Sequence, residues 1–406
     1  MGRFKVYIKP FTTEGIYEDE WRDVTDDADL AGISTIKQSL DNNEYDVGIF
    51  KTSGLGLSLV NIDGRYSDVG VPGSIFNFRR SNSLVRITWE IMDHDVICGF
   101  FICGNVALSD EVVAFEGFLD DTALKQDADA QDLKFKVLGK ESIFTQVAVP
   151  YDDIADGDSI EELIFICLSQ QVITDQLTVD LANIDCSANP FSNSVVDLEN
   201  KTVMEALQEL LRISNSVLYL INNVVYVSPR NASPTDKFTF FGQGSSVGNE
   251  NIIDLTDYRT GLNRVYNFIT WADSPLVKSD LTSIERNGLQ KKQVGSKVIT
   301  YEPSQELILE NILLEFRNAK REMTIRAPID YDTIALNVLD KVAVDYPNIS
   351  ISDTGSIPLW DLATWDVAKF PYEVLPITIE SGARFKILSK DIDTQNHEMV
   401  FLLREV

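Results

Sequence analysis

The stretch that most limits the fold is KTVMEALQELLRISNSVLYLINNVVYVSPR, from Lys201 to Arg230. Thr202 followed three residues later by Glu205 has the form of a capping box, in which each side chain satisfies the other residue's orphan backbone N–H. Val203, Leu207, Leu210 and Leu211 then fall on one face of a helical period, which predicts a helix over 202–213. Val217 to Ile221 and Val224 to Val227 flank Asn222-Asn223, and Asn tolerates the positive φ that a two-residue hairpin turn asks for. The hairpin so predicted, over 217–227, is apolar on both faces. Its own helix can cover one face; another domain or another copy must cover the second.

Strands dominate the region before this unit. Arg3 to Lys9, Val47 to Phe50, Leu55 to Val60, Leu84 to Met92, Val96 to Cys103, Val112 to Leu119 and Leu133 to Leu138 are short and rich in Val, Ile, Phe and Thr. Gly, Asn and Asp punctuate them, a pattern that favours antiparallel barrels or sandwiches over βαβ units. VPYDDIADGDSIEELIFICLSQ breaks the rhythm: Ile160 to Gln170 reads as a short helix, and the acidic turn before it as a domain boundary. After the hairpin, SPRNASPTDKFTFFGQGSSVGNEN reads as a connector. A second β-rich region opens at Asn263 to Trp271. Ser304 is placed to cap a helix over 304–318, with Ile308, Ile312 and Phe316 on one face and Leu309 and Leu313 beside them. EMTIRAP, ALNVLDKVAVDYP, FKILSKDI and EMVFLLREV follow as strands. The predicted class is mainly β with α+β insertions: β-rich regions over 1–148 and 249–406 around an α+β middle module over 149–248.

Charge excludes several functions. Lys and Arg total 35 and Asp and Glu 63 in 406 residues, a net charge of −28. Such a surface repels nucleic acid and anionic lipid at long range. The opening MGRFKVYIKPF alternates like a strand and has no apolar signal region. The longest apolar run, Val96 to Leu108, is shorter than the roughly 20 residues a spanning helix needs, so no membrane insertion is expected. The cysteines, Cys98, Cys103, Cys167 and Cys186, are expected to stay reduced.

No spacing supports catalysis, a cofactor or a metal site. The two histidines, His94 and His397, lie in MDHDV and TQNHEMV, both read as solvated turns. HExxH and zinc spacings are absent. FGQGSSVG lacks the Lys-Ser/Thr of a phosphate loop, and the glycines of GLGLSLVNIDG precede a strand where a dinucleotide site needs a helix. Asp26, Asp27 and Asp29, then Asp120 and Asp121, read as solvated surface. The turn containing Asp152, Asp153, Asp156 and Asp158 has alternating oxygens that could wrap calcium but does not match an EF-hand loop; it too reads as a solvated turn.

The order of these parts resembles the central portion of phage tail hub proteins, which form the baseplate hub or tail-tip ring under the tail tube. TVMEALQELLRISNSVLYLINNVVYVSPR and GLNRVYNFITW are similar to the hub helix, hairpin and following strand. SIERNGLQKKQV, EPSQELILENILLEF and FKILSKDIDTQNHEMVFLLREV resemble the segment before the second helix, that helix, and the closing hairpin. DVTDDADLAGISTIKQSLDNN, RRSNSLVRITWE and FEGFLDD resemble the first tube-like barrel. LNVLDKVAVDYP resembles a strand-turn-strand in which hubs more often have Gly before the Asp; Leu339 departs from that pattern before Asp340.

The resemblance implies a non-enzymatic virion protein, made in the host cytoplasm. It implies two tube-like antiparallel β-barrels, 1–148 and 249–406, joined by the middle module. It further implies a homotrimer whose six barrels make a ring around a channel for DNA, which passes without specific binding. A tail tube or distal tail protein would lie above, a spike or fibre protein below, and a tape measure protein is a further partner. Carboxylates are expected on the lumen. Two other classes stay open: a secretin-like or adhesion scaffold, and a virion-associated glycan-degrading enzyme using an unrecognised acid pair.

Overall fold

In the computed structural model, strand alternation becomes one large sheet with a core on each face. The structure describes residues 3–29, 33, 35–41, 49–50, 53–67, 69–90, 111–125, 132–155, 158–186, 198–230, 236–242, 245, 250–261, 264–295, 301–346 and 379–406. Arg3–Lys9 shows the logic of the sheet. Phe4, Val6 and Ile8 are buried, while Arg3, Lys5, Tyr7 and Lys9 alternate with them toward the other face.

The hydrogen-bonded path starts at Asp254–Arg259 and passes through Glu322–Pro328, Glu398–Glu405 and Ile379–Asp393. It crosses to Ile36–Asp41, then Gly54–Val60, Asp132–Gly139, Glu111–Lys125, Leu84–Glu90, Arg3–Lys9 and Arg22–Asp23. Every pairing along this path is antiparallel. The two β-rich regions are therefore not separate in their hydrogen bonding: Ile36 pairs with Ile392 and Ser39 with Ser389. Among the described residues the two ends of the path do not pair with each other, and no closed barrel forms.

One core lies on one face of the sheet and draws on both ends of the chain, from Phe4, Leu57 and Ile87 to Phe385, Phe401 and Leu403. The second core belongs to the α+β module. It joins helices Ile160–Leu168, Val203–Ile213 and Glu302–Phe316 to the hairpin and to Leu84, Phe118 and Leu388 on the opposite face of the sheet. The module thus covers part of that second face.

Most sequence-derived strands stand within a residue or two, and several differ for identifiable reasons. Gly54–Val60, Leu84–Glu90 and Asp132–Gly139 match their expected segments, and Glu111–Lys125 runs on well past the expected end at Leu119; Val47 to Phe50 is represented by Ile49–Phe50, and Val96 to Cys103 lies outside the described residues. The short helix is Ile160–Leu168, opened by a Ser159–Glu162 capping box. The connector contains a strand, Phe238–Phe241, which pairs parallel with Lys341–Tyr346.

In the expected strand Asn263 to Trp271, the described residues form strand only over Phe268–Trp271, which leaves the large sheet. It pairs with Val277–Ser279 and Lys291–Val294 in a separate three-stranded sheet. Buried Asn267 sets its start: its side chain donates to the Gly288 carbonyl at 2.7 Å and accepts from the Gln290 N–H at 2.8 Å.

The Ser304 cap is also corrected. The helix runs Glu302–Phe316, with Tyr301 at the N-cap making no side-chain cap bond and Pro303 in the first turn. Proline's fixed φ suits that turn, so the helix starts before Ser304, which is buried inside it. Ile308, Leu309, Ile312 and Phe316 are buried as the period requires.

Candidate assembly site

The helix and hairpin are built as their residues dictate. Glu205 Oε2 accepts from the Thr202 N–H at 2.8 Å, and the Thr202 hydroxyl accepts from the Glu205 N–H at 3.3 Å. Val203, Leu207, Leu210 and Leu211 are all 0% exposed. The hairpin pairs Ser216–Ile221 with Val224–Pro229, and Asn222 and Asn223 take φ of 50° and 65°. In this register Leu218 opposes Val227 and Leu220 opposes Val225, and this face enters the module core. Tyr219 and Tyr226 oppose each other on the second face, with rings stacked at 5.6 Å.

The hairpin is bonded at its two ends to both β-rich regions of the same chain. At its turn, Asn223 Nδ2 donates to Glu116 Oε1 at 3.3 Å. Glu116 belongs to Glu111–Lys125 and also pairs with Arg86 at 2.8 Å and Lys140 at 2.5 Å. Burial pushes the Glu116 carboxyl up, but Lys140 and Arg86 more than offset this and hold it below its ordinary value. At the other end of the hairpin, Lys386 Nζ donates to the Arg230 carbonyl. Lys386 lies on Ile379–Asp393, and burial lowers its pKa to about 8. One hairpin is therefore tied to a strand from each end of the chain.

Beside the Lys386 end lies a groove of about 320 Å³, lined by Tyr219, Ile221 and Arg230 on the hairpin side and Val338, Leu339 and Lys386 opposite. Its rim is the turn Asn337–Asp340. The Asp340 N–H donates to the Asn337 carbonyl at 3.1 Å, and Asp340 Oδ2 accepts from the Asn337 N–H at 2.8 Å. Leu339 has φ of 73°. It occupies the third position of a β-turn with positive φ, where glycine is favoured. The missing glycine noted in the sequence is thus a leucine held in the glycine conformation.

A buried ion cluster joins the module to the sheet. Glu315, from Glu302–Phe316, pairs with Lys320 at 3.0 Å and lies 3.8 Å from Arg404 on Glu398–Glu405. Glu322 pairs with Arg264 at 2.7 Å and lies 3.8 Å from the same Arg404. Arg404 sits over the Phe316 ring at 5.2 Å, and its Nε and Nη1 have no hydrogen bond among the described residues. Burial pushes Glu315 up, but Lys320, Arg404 and Arg230 more than offset it, so its pKa falls below the ordinary value.

The residues weighed for chemistry do not converge. His397 lies in an exposed turn at φ of 55°, with its ring 6.3 Å from Phe4; His94 and Asp156 lie outside the described residues. Asp152 and Asp153 are exposed, and Asp158 accepts from the Ala155 N–H at 2.8 Å. Among the described residues no three His, Cys, Asp or Glu side chains gather as a metal site. Cys167 and Cys186 are free and buried, and burial pushes their thiols up to about 12 and about 11; Cys98 and Cys103 lie outside the described residues. No helix among the described residues is long and apolar enough to cross a membrane. Sequence reasoning missed the ion cluster. One signal for it was present: Glu315 continues the Ile308, Ile312 stripe at helical spacing, a charged residue at an apolar-face position.

No protein-family model and no curated protein matches the chain. Solved structures do. A tail protein from Neisseria meningitidis MC58 is similar over 100% of this chain and 96% of its own, with a TM-score of 0.54 at 11% identity. The 43 kDa tail protein of prophage MuSo2 from Shewanella oneidensis is similar over 100% of this chain and 97% of its own, with a TM-score of 0.52 at 10% identity. Prophage tail protein gp18 from Listeria monocytogenes EGD-e is similar over 98% of this chain and 94% of its own, with a TM-score of 0.52 at 12% identity. The chain has the fold of these phage tail proteins.

Proposed function

We propose that this chain is the structural hub of a phage tail tip or baseplate, without enzymatic activity. Three copies form a ring that continues the tail tube, joins it to a spike or fibre, and leaves a channel for DNA. In this reading 1–148 and 249–406 each supply one tube-like unit. Residues 149–248, together with the inserted helix and small sheet between Phe268 and Phe316, supply the brace. The observation that carries the reading is the hairpin tied at its turn to Glu116 and at its base to Lys386, within a fold shared along nearly the whole chain with tail proteins. A hub that presents two units per chain needs their relative placement fixed, and a brace bonded to both ends of the chain does that.

The uncovered part of the second sheet face is the proposed channel wall. Its charges form cross-strand ladders: Lys5 pairs with Glu90 at 2.8 Å and Glu111 at 2.7 Å, and Arg3 with Glu90 at 2.7 Å. The face is mixed in sign, with Lys134 and Lys136 exposed on it. Lys5 and Arg3, already held by carboxylates, offer phosphate little to grip. Quantitative mass spectrometry of purified particles tests the reading, together with antibody labelling in the electron microscope. Three copies per particle and label at the tail tip are expected; label on the capsid, or six copies, overturns it.

A further inference from the structure

Three side chains meet where the hairpin turn touches the large sheet. Lys140 opens the short helix Lys140–Thr145 and places Nζ on Glu116 Oε1 at 2.5 Å. Asn223, in the hairpin turn, places Nδ2 on the same oxygen at 3.3 Å. The Lys140 and Glu116 side chains are 7% and 8% exposed, and Asn223 is half-buried. An amine, a carboxamide and a carboxylate therefore share one oxygen in a site largely closed to water.

Each of the three is held from outside the group. The Asn223 carbonyl accepts from the Thr178 N–H at 2.8 Å, and its φ of 65° sets the turn. Arg86 takes the other Glu116 oxygen, Oε2, at 2.8 Å, and its guanidinium lies over the Trp21 ring at 4.1 Å. That arrangement fixes the carboxylate and leaves Oε1 to the two nitrogens. A salt bridge with an added hydrogen bond would need no more than this. The primary amide brings something further, because its carbon is an acyl group with ammonia as the leaving group. It stands beside an amine and a shared base. Held groups of this kind react as if at high concentration, and exclusion of water removes the competing nucleophile.

We propose that Lys140 and Asn223 join in an intramolecular isopeptide bond, with Glu116 as the base that carries the proton. Glu116 Oε1 takes a proton from the Lys140 ammonium, and the freed amine attacks Asn223 Cγ. The Nζ–Cγ bond forms and the Cγ–Nδ2 bond breaks. A second proton passes from Nζ to the departing nitrogen, and Glu116 returns the first. One ammonium ion leaves, Glu116 ends as the carboxylate it began as, and the balance needs no oxidant or reductant. The opening proton transfer is uphill, and burial lessens its cost by penalising both charges of the pair. One turnover per chain sets no demand for speed. The product fastens the hairpin turn to the first β-rich region by a covalent bond. It is a property of the single chain, so it stands or falls independently of the ring.

The test is mass spectrometry of the purified full chain, held folded until its mass is constant. The parent chain is expected to weigh one ammonia less than its sequence. Proteolysis is expected to release the Lys140 and Asn223 peptides as one branched species. Glu116→Gln keeps the side chain's shape and removes the base, and Lys140→Arg removes the primary amine; both are expected to keep the full mass and give separate peptides. A parent chain at full mass overturns the proposal, whatever the variants do, so the result does not depend on a variant that folds. Loss of ammonia with the two peptides separate also overturns it, because an asparagine that closes onto its own backbone loses the same mass. Branched peptide at unchanged yield in Glu116→Gln overturns the role given to Glu116.

Discussion

Replacing Arg404 by Met and Glu315 by Gln should have unequal effects, although the two side chains face each other. Arg404 lies 3.8 Å from Glu315 and 3.8 Å from Glu322. At an effective dielectric of about 20, each attraction is worth about 4 kcal/mol before costs. Against that stand the desolvation of a guanidinium that is 5% exposed, several kcal/mol for a buried ion, and repulsion from Arg264. Burial lowers the Arg404 pKa despite both carboxylates, so desolvation is the larger effect. With Arg404→Met, Glu315 keeps Lys320 at 3.0 Å and Glu322 keeps Arg264 at 2.7 Å. The expected change is within about 1 kcal/mol in either direction, because a well-packed apolar replacement for a buried ion is often neutral or better. With Glu315→Gln, Lys320 and Arg404 lose a shared carboxylate, and Arg230 and Lys386 lose the same field. That change is expected to cost about 3–5 kcal/mol, as removing one partner of a buried pair does. Urea unfolding with linear extrapolation reads both values, provided the slope with denaturant stays constant. Equal losses, or a loss above about 3 kcal/mol for Arg404→Met, would refute the reasoning.

Leu207→Ala, at a side chain that is 0% exposed on the capped helix, is expected to cost about 2–5 kcal/mol in the same assay; Glu209→Ala, which loses its pair with Lys201, is expected to cost no more than about 1 kcal/mol. Leu339→Ile places a β-branched residue at φ of 73° and is expected to lower stability more than Leu339→Gly, which gains about 1 kcal/mol of relieved backbone strain and loses a half-buried side chain; the thermal midpoints give the order. Lys390 is buried with Nζ on the Ile334 and Leu336 carbonyls at 2.5 and 2.7 Å, and burial lowers its pKa to about 8. The unfolded chain binds the extra proton between about pH 8 and the ordinary lysine value, so stability is expected to rise with pH across that window. Lys390→Met should flatten that rise, and denaturant titrations at successive pH values measure it. Chelation should leave the thermal midpoint unchanged; a drop restored by calcium would assign a site to the Asp152–Asp158 turn.

The helix and hairpin were legible because every determinant is local: a capping box, a stripe and two asparagines. The Asn337–Asp340 turn was legible in outline, since Leu339 takes the φ that the glycine of the hub pattern implies. The union of the two β-rich regions was not legible. It depends on Ile36–Asp41 finding Ile379–Asp393, and alternation states which face a strand buries but not which strand it meets. Phe238–Phe241 was hidden by its polar neighbours, although its parallel partner Lys341–Tyr346 was recognised. Of the ion cluster only Glu315 stood out in the sequence, as a charge on the apolar stripe of its helix; Glu322 and Arg404 are ordinary strand charges until that helix lands on the sheet.

The most direct test of the central claim is an electron cryomicroscopy structure of the assembled tail tip. The account predicts three copies of this chain around a channel. In each copy the hairpin would still be tied to Glu116 and Lys386, with units from both ends of the chain alternating around the ring. Six separate copies in that ring, or three copies whose two β-rich regions cannot be superposed as equivalent ring units, would contradict it.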